Sequence, residues 1–108
     1  MGKEIRVYRN EDVQRVVAFI PPNHRHIRLV VEFKDQIIVM NEAAVAAIVR
    51  AYIDVATHPT RKAVELAHAS ITERKPGYAK DQLIETTESE GEIIERNVKI
   101  LRTLDEAR

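Results

Sequence analysis

A small α+β fold is predicted from three stretches of the sequence: an almost wholly apolar run at Asn41 to Ala56, two strand-like runs just before it, and a capped amphipathic run near the end of the chain. In the first, Glu42, Ala46, Arg50 and Asp54 recur at steps of four and form one narrow polar stripe. Val45, Ile48, Val49, Tyr52, Ile53 and Val55 cover the rest of the circumference. Asn41 offers a side-chain oxygen to a free N–H of the first turn, and Glu42 sets a negative charge at the positive end of the helix dipole. Such a helix needs neighbours on several sides, so it is expected to form the core. At about 24 Å, and interrupted by charge, it is too short and too polar for a membrane span.

Taken in order, Glu4 to Arg9 alternates Ile5 and Val7 with Arg6 and Tyr8, which predicts a short strand. Asn10 is then expected to cap a helix with an acidic first turn (Glu11, Asp12) and with Val13, Val16, Val17 and Ile20 at helical spacing, ended by Pro21-Pro22. Between Arg25 and Phe33, Ile27, Leu29, Val31 and Phe33 share one face against Arg28, Val30 and Glu32, the pattern of a half-buried strand. Lys34, Asp35 and Gln36 break the run before Ile37 to Met40, so the two runs are expected to pair as an antiparallel hairpin leading straight into the apolar helix.

After Thr57-His58-Pro59-Thr60 a further helix is expected, with Ala63, Val64, Leu66, Ala67 and Ile71 as its apolar face. Pro76-Gly77 among charges marks Glu73 to Lys80 as an exposed loop, and Gln82 to Thr87 reads as a fourth strand. Ser89-Glu90-Gly91-Glu92 has the form of a capping box and opens a terminal helix. Ile93, Ile94, Val98, Ile100, Leu101 and Leu104 give that helix a broad apolar stripe, with Glu95, Arg96, Lys99 and Arg102 facing water. The order β-α-β-β-α-α-β-α predicts one domain over residues 1–108, a two-layer arrangement in which helices cover a small, mainly antiparallel sheet.

At 108 residues the chain can bury one core. Hydrophobic residues make up 44% and charged ones 31%, enough apolar material to offset the entropy of folding. The absence of cysteine excludes disulfides, a thiolate nucleophile and Cys-ligated zinc. Met1 to Arg9 alternates charge with single apolar residues instead of forming the apolar centre of a signal peptide, so a cytoplasmic setting is expected. Net charge is zero but uneven: residues 1–80 carry 13 Lys and Arg against 9 Asp and Glu, and residues 81–108 carry 4 against 8. Such a split either steers a polyanion to the first part or draws parts of the fold together.

No catalytic residue, metal or cofactor is expected, and an unrecognised enzyme is the least favoured of the three readings. The three glycines are isolated, which excludes a phosphate loop, and no Gly-x-Ser-x-Gly elbow exists. His24, His26, His58 and His68 match no metal-ligand spacing. Candidate anion-binding residues fall in two groups. His24, Arg25, His26 and Arg28 precede and enter the main strand, where alternation sets His24, His26 and Arg28 opposite Ile27 and Leu29. Arg61 and Lys62 lie in the first turn of the helix expected after Pro59, where free N–H groups favour anions. Tyr78, between Lys75 and Lys80, has a ring on which a base can stack. An RNA- or DNA-associated module is therefore the alternative reading, against a solvated surface. Arg50 and Asp54 are spaced for an ion pair.

The main expectation is a non-catalytic binding or assembly module that self-associates as a two-fold dimer, because the apolar surfaces exceed what one small sheet can cover. Ile94, Val98, Leu101 and Leu104 repeat near seven residues and are the candidate interface. The competing arrangement folds this helix back on its own sheet.

Overall fold

In the computed structural model, which describes residues 2–71 and 80–106, two antiparallel sheets and two helices make an α+β fold. The chain divides into two compact units, Met1–Val45 and Ala46–Arg108. The strands thus fall in two sheets, where a single one is expected from sequence.

The first unit is a meander of β1 (Val13–Phe19), β2 (Arg28–Phe33) and β3 (Ile37–Asn41), in spatial order β1-β2-β3. The hairpin of β2 and β3 is as expected: Phe33 N–H donates to the Gln36 carbonyl at 2.8 Å around the short turn at Lys34 and Asp35. β1 replaces the helix expected from Asn10, of which only a single 3-10 turn forms, at Asn10–Asp12. Val13, Val16 and Val17 satisfy helical spacing, but their β-branched side chains also suit a pleated surface, and pairing with β2 from Val13↔Phe33 to Phe19↔Arg28 decides between the two. Pro21 and Pro22 do not end a helix. They set the turn between β1 and β2, with Asn23 at φ 67° and the His24 N–H on the Pro21 carbonyl at 3.1 Å, the pattern of a type II turn.

The strand expected over Glu4 to Arg9 is not formed. That segment is held by side chains: the Tyr8 ring stacks on Phe33 with centroids 3.7 Å apart, Gln36 donates to the Tyr8 hydroxyl, and Arg6 meets Asp35 at 2.6 Å.

β3 runs directly into α1 (Glu42–Ala56), which closes where Thr57 donates backbone and hydroxyl to the Ile53 carbonyl. In the second unit β4 (Leu66–Ser70) and β5 (Asp81–Glu85) form a hairpin ladder, and α2 (Glu90–Glu106) follows. The helix expected after Pro59 is absent. The His58 ring accepts the N–H groups of Thr60 and Arg61, and the chain then extends so that Leu66 to Ser70 pairs with Glu85 to Asp81. Ala67 and Ala69 favour helix, and the ladder overrides them. α2 starts as expected: the Ser89 hydroxyl accepts from Glu92 N–H at 3.2 Å and donates to the Glu92 carboxylate.

Burial overturns the expected role of the apolar helix. Among the described residues only Ala47 and Ile93 are buried, while Ile48, Val49, Tyr52 and Ile53 of α1 are exposed. The expected Arg50 to Asp54 pair is replaced by an Arg50 hydrogen bond of 2.8 Å to the Leu83 carbonyl on β5.

Candidate functional site

The second unit carries an open groove of about 560 Å³. One wall is the C-terminal half of α1, through Ala51, Tyr52, Val55 and Ala56. The other is α2, through Ile93, Ile94, Asn97, Val98 and Leu101. Lys62, Ala63 and Val64 of the extended segment between α1 and β4 complete it.

Each wall is placed by local chemistry. The apolar circumference of α1 leaves Tyr52 and Ala56 one turn apart beside the groove. The segment at 62–64 is held in line by Lys62 N–H, which donates to Glu90 at 2.8 Å, and by Arg61, whose guanidinium pairs with Glu85. Arg96 on the far side of α2 meets Glu65 at 3.4 Å. Ile93 lies on the floor at 8% exposure, whereas Tyr52 keeps 73% and Leu101 59% of their surface.

The lining has almost no chemistry to offer a reaction. Lys62 and Tyr52 are its only titratable residues, and the Asn97 amide is spent on the Ile93 carbonyl at 2.7 Å. The lining is mainly apolar, which suits an apolar side chain or an amphipathic helix. Among the described residues no group of three His, Asp or Glu is placed to hold a metal ion, and no helix is long and apolar enough to cross a membrane.

Of the expected interface residues, Ile94, Val98 and Leu101 line the groove together, and Leu104 lies one turn further along α2. Tyr52, Val55, Ala63 and Val64 are expected from sequence as apolar helix faces and not as part of the interface; the all-round apolar character of α1 is the available signal for the first two.

The basic candidates are distributed differently from expectation. β2 begins at Arg28, so His24 and His26 precede the strand and share no strand face with it. His26 Nδ1 lies 3.0 Å from Glu42, and Arg28 is turned onto the carbonyls of His26 and Ile27. Among the described residues no hydrogen bond or ion pair engages the side chain of His24 or Arg25, and His24 is held through its backbone N–H on Pro21. Arg61 and Lys62 sit in extended chain, not in a helical first turn, and Arg61 is paired with Glu85. The second group therefore lacks the free helix N–H groups that made it attractive for anions. Tyr78 lies outside the described residues.

Glu42 joins the first turn of α1 to the segment before β2. The Ile27 N–H donates to it at 3.1 Å and holds its carboxyl below the usual carboxylate range, with the His26 hydrogen bond acting in the same direction. A carboxyl whose pKa is lower in the folded chain contributes stability above its unfolded pKa and loses it as pH falls through the folded value. Glu42→Gln is therefore expected to lower the urea midpoint at pH 7, and the gap from wild type is expected to shrink as pH falls below the ordinary glutamate range and to close once it passes the lowered folded value. A gap independent of pH would show that the charge contributes nothing.

Neither a family model, nor a curated protein, nor a solved structure matches the chain. The groove is read from its own geometry.

Proposed function

We propose that the chain is a non-catalytic assembly module of the cytoplasm that works as a homodimer, with a second copy covering the groove and the α1 residues beside it. The observation that carries this reading is the exposure of large apolar side chains: Tyr52, Ile94 and Leu101 line the apolar groove, and Ile48, Val49 and Ile53 are exposed elsewhere on α1. Taken with the size of such side chains, they leave roughly 600 Å² uncovered, of the order of the roughly 800 Å² that each partner gives to a standard interface. The same chain thus offers both the groove and the side chains that fit one, which is the self-complementarity a two-fold contact needs. In this reading the two-layer cover expected from sequence is completed between copies.

The nucleic-acid alternative is less favoured. Arg28, His26 and Arg61 would have to leave their present partners to meet phosphate, and the two basic groups belong to different units.

Light scattering tests the groove as the contact. Wild type is expected at twice the 12.4 kDa chain mass, and Leu101→Glu at the single-chain mass, since a carboxylate would be buried without a partner at the interface. A Leu101→Glu protein that stays dimeric would remove α2 from the contact.

A further inference from the structure

Among the described residues one strand edge is unguarded. Proteins protect exposed sheet edges with charge, proline or a bulge, because the unpaired N–H and C=O groups otherwise recruit another strand. β1 has Arg15 and an irregular register between Val13 and Arg15, β4 has His68 paired to Asp81, and β5 has Asp81 and Glu85. β3, with the sequence Ile-Ile-Val-Met-Asn, has no charge, no proline, no glycine and no bulge, and it lies at the edge of its sheet. Ile37 and Val39 keep 60% and 61% of their surface.

The ladder also shows which groups point outward. Phe33 and Gln36 are a hydrogen-bonded pair, and such pairs alternate along an antiparallel ladder. Val31 and Ile38, then Leu29 and Met40, therefore exchange bonds between β2 and β3, while the N–H and C=O of Ile37 and Val39 and the N–H of Asn41 face away from β2. Among the described residues none of these outward groups has a backbone partner outside its own strand ladder.

We propose that two copies of the chain join β3 to β3, antiparallel, about a two-fold axis at Val39. This rests on the self-association proposed above and adds a surface of the first unit to it. The outward residues are spaced symmetrically about Val39, so in this register Val39 exchanges both hydrogen bonds with the partner's Val39, and Ile37 meets the partner's Asn41. No other centre uses all three outward residues. Because β3 is uncharged, no like charge opposes itself across the axis, which is the usual penalty for pairing a strand with its own copy. The outward groups of β3 are self-complementary about Val39, so a second β3 is the matching partner.

The chain has no cysteine, so one introduced residue reports the register cleanly. In a hydrogen-bonded antiparallel pair the Cα atoms are about 5.5 Å apart, within disulfide reach. Val39→Cys is expected to form a covalent dimer on mild oxidation, and Ile84→Cys on β5 is expected not to. Val39→Pro removes an N–H that points away from β2, and is expected to run at 12.4 kDa with its β-sheet circular dichroism retained. A wild type that runs as a monomer overturns self-association and this pairing with it. A dimeric wild type in which Val39→Cys links no more than Ile84→Cys overturns the edge pairing alone, as does a Val39→Pro protein that stays dimeric. A monomer that instead takes an extended peptide of another protein on β3 also overturns it.

Discussion

Ile93→Asp is expected to unfold the second unit. Ile93 is the one large side chain buried among the described residues, and it lines the groove where α2 meets the rest of that unit. A carboxylate placed there meets a mainly apolar lining with no arginine among its residues. An unpaired buried charge costs several kcal/mol, a large share of the roughly 5–15 kcal/mol that holds a domain of this size. Loss of helical circular dichroism at 25 °C is the expected reading. Ile93→Val, which removes one methylene, is expected to cost only about 0.5–1.5 kcal/mol. A melting temperature for Ile93→Asp within a few degrees of wild type would show that α2 is not anchored through this residue.

Val49→Asp is expected to break association while leaving the helix formed. From sequence alone Val49 belongs to a buried core, where a carboxylate would prevent folding; in the structure about half of its surface is already in water. The apolar burial lost within one chain is therefore about 1 kcal/mol. Between copies the cost is larger, since the new charge sits on the uncharged face of α1 that the second copy is to cover, beside Tyr52 and Ile53. The thermal midpoint of wild type is expected to rise with protein concentration, as mass action requires of a dimer, and that of Val49→Asp to be flat. A Val49→Asp chain that keeps the wild-type concentration dependence would place the contact elsewhere.

The elements legible in the sequence were those fixed by neighbours a few residues away. The two-residue turn at Lys34 and Asp35 set the hairpin, Asn41 and Glu42 marked the start of α1, and Ser89 with Glu92 marked α2. Elements decided by distant partners were misread. Val13, Val16 and Val17 fit a helix and a strand equally well, and only the β2 partner distinguishes them. Leu66 to Ser70, with its two alanines, becomes a strand only because Asp81 to Glu85 pairs with it. Burial was the least legible property. An all-round apolar helix states that it needs cover, but nothing in its own residues says whether the cover is the same chain or another. Part of the candidate site was nonetheless readable, since Ile94, Val98 and Leu101 were chosen for their spacing and line the groove. The basic residues were readable as charges and unreadable as ligands, because their partners, Glu42 for His26 and Glu85 for Arg61, lie well away in sequence.

Self-association is tested most directly by sedimentation equilibrium of the wild-type chain across a wide range of concentration. The expected result is a species of twice 12.4 kDa that dissociates only on dilution. A single species of 12.4 kDa persisting at the highest concentration would contradict it.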